Sequence, residues 1–164
     1  MFLYFWAMQR PPIPTLLEAT KKLERYCAYQ ERCHLEVVQK LKGMGMIPEA
    51  IDLIVVQLIQ ENYLNEERFA RSYARGKFNI KKWGRNRIVL ELKRRQISPY
   101  NIKAALEEID LGDYLDALDA LAEKRMGQIR EGDPQKRRKK LADYLIYRGW
   151  EPQLVMEKVA ELIP

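Results

Sequence analysis

Eleven cationic side chains and one carboxylate, Glu91, lie between Arg68 and Arg95. Guanidinium and ammonium groups at this density bind polyanions by displacing counterions, without reading sequence. Phe78 and Trp83 fall in the same stretch, and aromatic faces beside cations can stack on bases. Arg68, Arg71 and Arg75 stand at i, i+3 and i+7, so a helix collects them on one side. Arg87 and Arg94, seven apart, share the outer side of the next helix. With Lys81, Lys82 and Arg85 these make eight candidate contacts. For any single arginine a solvated helical face is sufficient explanation. The cluster as a whole favours a binding surface, because the rest of the chain is balanced: residues 1–62 hold seven basic and seven acidic side chains, and residues 111–164 hold ten of each. The KRRKK run at 136–140 is therefore offset by acids of its own segment.

Other chemistry is poorly supplied. Cys27, Cys33 and His34 are the only cysteines and histidine. Their spacing lacks the paired, shorter steps of zinc sites, and no fourth ligand presents itself. Burial or a place in a turn is the expected state of all three, as reduced thiols in a cytoplasmic protein. No GxxxxGK[ST], HExxH or GxSxG sequence occurs. Without a nucleophile–base pair the chain reads as a binder, with no catalytic residues, cofactor or metal. The opening MFLYFWAM is apolar but ends at Arg10, Pro11, Pro12 and Pro14. It is too short to span a membrane and lacks a basic start or cleavage pattern. It reads as a leader over residues 1–14, or as sequence upstream of a true start at Met8.

The elements that must carry the cations are set out by a phrase that occurs three times, a Leu and a Pro seven positions later: Leu41 to Pro48, Leu92 to Pro99 and Leu145 to Pro152. Each Pro is followed by apolar residues at +3, +7 and +10, and each Leu is preceded at −4 by Val37, Ile88 or Leu141. A helix ends in the phrase, the chain turns, and Pro opens a second helix where its missing N–H costs nothing. One more helix fits upstream of each pair. The fold class expected is all-α, with three tandem three-helix repeats at 15–63, 64–110 and 111–164 forming an elongated, curved array. Helices are predicted over 15–30, 33–43 and 48–62, the last apolar on more than one face and so expected to be central. Thr15, Asn65, Ser98 and Asp133 are the predicted caps. The third repeat starts near Gly112 with an inward stripe of Leu115, Leu118 and Leu121. No heptad seam argues for a coiled-coil dimer, so a monomer is expected.

These residues resemble the RecX family, bacterial regulators of the recombinase RecA. The resemblance runs from about Leu23 to Leu162. It is strongest in NYLNEERFARSYARGKFNIKKWGRNRIVLELKRRQIS, where an acidic pair, Arg68-Phe69-Ala70, and the run from Gly84 to Leu92 follow the family pattern. The stretch RYCAYQERCHLEVVQKL is similar to the family's opening but keeps its Ser-x-x-Glu-Leu character only in part, at Cys33 to Glu36. The resemblance implies binding to RecA and to RecA filaments on single-stranded DNA, with restraint of strand exchange and ATP hydrolysis. It supports the positions of Arg68 and Arg85 in the motif. The alternative reading is an autonomous helical module that binds single-stranded or duplex DNA through the middle repeat. Sequence-specific readout is not expected of it, since the helix after Pro99 offers only Asn101 and Lys103 toward bases.

Overall fold

The computed structural model describes residues 11–164; the expectations for the leader's first ten residues, Met8 included, lie outside them. The described residues form nine helices: α1 (Leu16–Tyr29), α2 (His34–Gly43), α3 (Pro48–Gln60), α4 (Glu66–Lys81), α5 (Arg85–Arg94), α6 (Pro99–Leu106), α7 (Leu111–Gln128), α8 (Pro134–Tyr147) and α9 (Pro152–Leu162). The chain divides into two compact units, 1–66 and 67–164. None of the helices is long and apolar enough to cross a membrane.

The repeated phrase has one stereochemical solution. Leu41, Leu92 and Leu145 are fully buried, as are Val37, Ile88 and Leu141 one turn earlier. Four residues after each Leu the chain turns left-handed, at Gly45 (φ 81°), Gln96 (φ 58°) and Gly149 (φ 97°). The next N–H, from Met46, Ile97 or Trp150, donates back to the carbonyl of that Leu at 3.1–3.2 Å. This satisfies a helix-end carbonyl in the manner of a Schellman turn. The Pro then opens α3, α6 and α9 at the first helical position. Gln96 hides the rule in the middle copy, because glycine is the usual left-handed residue. The side chain after it is apolar each time: Met46 is half-buried, Ile97 buried and Trp150 fully buried.

Caps follow the expectation where a hydroxyl or carboxylate was read. Thr15 and Glu18 form a reciprocal box, the Glu18 N–H donating to Thr15 Oγ1 at 3.2 Å and the Thr15 N–H to Glu18 Oε2 at 3.0 Å. Ser98 accepts from the Asn101 N–H at 3.3 Å, and Asp133 from the Gln135 N–H at 2.9 Å. Cys33 is fully buried at the start of α2, where its own N–H donates to Glu36 at 2.9 Å. Cys27 is buried in α1, and it is not joined to Cys33 in a disulfide. Burial pushes the Cys33 thiol above its ordinary value.

In the first unit α1 and α2 both pack on α3, around Leu23, Val37, Leu41, Ile54 and Leu58. The expectation that α3 is covered on several sides is corrected. Ile51, Ile54 and Leu58 form its one buried face, at three- and four-residue steps, while Leu53, Val56 and Ile59 are exposed.

In the second unit α4 buries Phe69, Ala70, Ala74 and Phe78. The stripe on α7 is also corrected: its inward residues are Tyr114, Leu118 and Ala122, and Leu115 is exposed. Stepping back four residues from Leu118 lands on Tyr114. Its ring lies 5.8 Å from Phe78 and 4.4 Å from Trp150, centroid to centroid. Phe78 is thus a core residue and not a stacking platform. Trp150 and Tyr114 are the largest of the fully buried side chains described, and aromatic side chains of this size dominate core energetics. Trp150→Ala is expected to cost about 3–5 kcal/mol, read as a lowered midpoint in urea denaturation followed by circular dichroism.

Candidate functional site

The cationic stretch occupies α4, α5 and the turn between them, all within the second unit. Where each side chain goes is decided by a clasp between that turn and the end of α8. The N–H of Gly84 donates to the Arg148 carbonyl and that of Asn86 to the Gly149 carbonyl, both at 2.9 Å. The backbones approach so closely that a Cβ on Gly84 would lie 2.3 Å from the Gly149 carbonyl group. One on Gly149 would lie 2.3 Å from the Arg87 Cβ. The Trp150 indole N–H donates to the Lys82 carbonyl at 3.2 Å, and the Arg148 guanidinium donates to the Lys81 carbonyl.

The eight predicted cations part company around this clasp. Arg85 is built into it. Its N–H donates to the Tyr114 hydroxyl at 3.0 Å, its guanidinium sits 4.1 Å over the Tyr114 ring, and it pairs with Glu151 at 3.7 Å. The Tyr114 hydroxyl in turn donates to Glu151 at 2.5 Å. Burial first, and the Glu151 carboxylate second, push that hydroxyl well above its ordinary value of 10.0.

Arg71 and Arg75 are engaged with carboxylates at the far end of α6. Arg71 reaches Glu108 at 3.1 Å and Glu67 at 2.9 Å, and Arg75 reaches Glu108 at 3.2 Å. Arg75 first, then Arg71, hold the Glu108 carboxyl below the usual value. Arg68 is half-buried on the same helix. Two of the three arginines gathered on α4, Arg71 and Arg75, are thus engaged by a carboxylate more than thirty residues away.

Arg87, Arg94, Lys81 and Lys82 remain at the surface, the two lysines exposed. The Arg87 guanidinium lies 4.1 Å over the Trp83 ring and 5.2 Å from the Tyr147 ring. Lys77 approaches the same indole at 4.9 Å. Beside them runs a shallow groove between α5 and the end of α8, lined by Arg87, Leu90, Arg94, Ile146 and Tyr147 among others. Tyr147 is 76% exposed. Arg94 pairs with Glu91 at 2.8 Å on the rim, and Arg95, then Arg94, lower the Glu91 pKa. Cations stacked on aromatic faces are held in place yet still present charge. The arrangement can grip an anionic or mixed anionic and apolar surface. Among the described residues no group of His, Cys, Asp or Glu is placed to hold a metal ion. Ile146 and Tyr147 were not foreseen as part of the site, since they stand in the third copy of the phrase, sixty residues from Arg87.

The two charge networks contribute at opposite ends of the pH range, the partly exposed Glu108 pairs only slightly. Glu108, with its pKa below the ordinary 4.5, contributes stability that is present above that value and lost as pH falls through the lower folded value. Tyr114 stays protonated when the unfolded chain would ionise, so its contribution is present below about 10 and fades above it. Thermal melts across pH should show a fall at each end. Glu108→Gln is expected to lessen the fall on the acid side slightly, and Tyr114→Phe to flatten the alkaline side.

Residues 65–106 match the family described as RecX, second three-helix domain, and residues 112–159 match RecX, third three-helix domain. The regulatory protein RecX of Prosthecochloris aestuarii is 30% identical over 138 residues, covering 84% of this chain and 89% of that protein. The regulatory protein RecX of Lactobacillus johnsonii is 32% identical over 92 residues, 56% of this chain but only 34% of the relative. The crystal structure of RecX from Lactobacillus salivarius shares the fold, with a TM-score of 0.78, 23% identity, and coverage of 90% of this chain and 96% of that one. The chain belongs to the RecX family of regulatory proteins.

Proposed function

We propose that this chain binds the recombinase RecA and its filaments on single-stranded DNA, and restrains recombination and ATP hydrolysis there. It acts in the cytoplasm, by binding alone. Membership of the RecX family carries the reading, and the cation–aromatic surface of the second unit supports it. The contact surface is Trp83, Arg87, Arg94 and Tyr147 with Lys81 and Lys82. Arg71, Arg75 and Arg85 serve the fold beneath it, and Arg68 belongs with them on α4. In this reading the three repeats, 15–63, 64–110 and 111–164, divide the work, the last two building the surface together.

A RecA filament offers repeated protein surface beside a phosphate backbone. A groove with Leu90 and Ile146 between two arginines suits such a mixed target, because the apolar part gives contact area while the guanidinium groups engage carboxylate or phosphate.

Titration into RecA hydrolysing ATP on single-stranded DNA is expected to inhibit at less than one chain per RecA. The double variant Lys82→Glu/Arg87→Glu should lose most of that inhibition while its circular dichroism is unchanged. Full inhibition by the folded variant would remove this surface from the proposal. No inhibition by the unsubstituted chain, with clear retention of DNA in a gel shift, would support the autonomous DNA-binding module instead.

A further inference from the structure

The first repeat holds six basic and seven acidic side chains over residues 15–63, yet four of its cations are gathered apart from its carboxylates. Lys22, Arg25 and Tyr29, at i, i+3 and i+7 of α1, share one side of that helix with Tyr26. Opposite them stands Lys40 in the last turn of α2, and Arg32 closes one end. Together they line an open hollow of about 700 Å³ between the two helices. Four of its lining residues are cations and none is a carboxylate. Three of the neighbouring acids are used elsewhere: Glu18 caps α1, Glu24 pairs with Lys21 at 3.1 Å, and Glu36 accepts from the Cys33 N–H.

The hollow is also preorganised. The Arg32 guanidinium lies 3.8 Å from the centre of the Tyr26 ring and donates through Nε to the Tyr26 carbonyl at 3.3 Å. Lys40 approaches the same ring at 5.6 Å. Carbonyls at the end of α2, which would repel an anion, are satisfied by the N–H groups of Met44, Gly45 and Met46 at 2.9–3.2 Å. Beside these fixed cations Tyr29 stands 83% exposed. An exposed tyrosine in a ring of cations has no role in the core.

We infer that this hollow in the first repeat is a binding site for single-stranded nucleic acid, in which Lys22, Arg25, Arg32 and Lys40 engage successive phosphates and Tyr29 stacks on a base. A strand fits better than an acidic peptide, because the hollow combines four cations with a flat, exposed aromatic face and offers no unpaired backbone edge for a peptide to join. It also fits better than duplex, whose bases turn no face outward to Tyr29. The site is separate from the surface assigned above and does not rest on that reading.

The test uses the full chain without RecA. Oligothymidylate carrying 5-iodouracil, irradiated in the complex, is expected to crosslink at Tyr29. Tyr29→Ala should abolish that crosslink and weaken binding by about tenfold, within the range for loss of one stacked base, while Tyr29→Phe retains both. Lys22→Glu/Arg25→Glu should weaken binding further and lower the salt slope by about 1.4, the value for two phosphate contacts to a single strand. Crosslinks confined to Trp83 or Tyr147 would overturn the site. So would affinity unchanged within about twofold in the folded variants, set against the stacking loss above, or displacement of the oligonucleotide from Tyr29 by polyglutamate as readily as by oligothymidylate. Because RecA is absent, these outcomes are independent of the ATPase titration.

Discussion

Every α-helix begins with N–H groups that lack a partner within the helix and ends with carbonyls in the same state. At the centre of the second unit one set answers the other. The first donors around α5 meet the last acceptors of α8, Gly84 on Arg148 and Asn86 on Gly149. This join is possible only because neither glycine carries a side chain. Trp150 follows directly, so its ring is driven into the core and stacks on Tyr114, and Tyr114 in turn orients Arg85 and Glu151. On the outside the same join carries Tyr147 to Arg87 and Trp83. Core and surface are two sides of one backbone contact.

The cations divide by what they do energetically. The pairs of Arg71 and Arg75 with Glu108 are partly exposed, and ion pairs in that setting add little to stability. Their main effect is to tie the end of α6 to α4 and remove two charges from the field available to a partner. Arg87 and Lys77 are held by aromatic faces, which position a cation without neutralising it. A count of arginines therefore overstates the binding surface, and the identity of the neighbour decides which of them face a ligand.

Much of the architecture was legible because it depends on short range. The spacing of Leu41 to Pro48 and its two copies marks a helix end, a left-handed residue and a new helix, all within eight positions. Thr15, Ser98 and Asp133 announce caps by their own chemistry. What was not legible depends on distant partners. Glu108 is 37 residues from Arg71, and nothing in either neighbourhood records the pairing. Tyr114 looked no more inward than Leu115 until Phe78 and Trp150 flanked it. Gly84 caps the start of α5, but its contact with Gly149 follows from no local pattern. The hollow of the first repeat escaped for a related reason: net charge over a segment is blind to which face each charge occupies.

The separation of the two clasped glycines in sequence also sets an order of assembly on the ribosome. The buried core cluster described in the first unit runs from Ala19 to Leu64, so that cluster can close while the rest of the chain is still being made. The turn at Gly84 cannot. It must wait for Arg148 and Gly149, some sixty residues later, before the donors at the head of α5 find their acceptors. During translation the most cationic part of the molecule is thus exposed with its framework unfinished, and only the last two helices complete it.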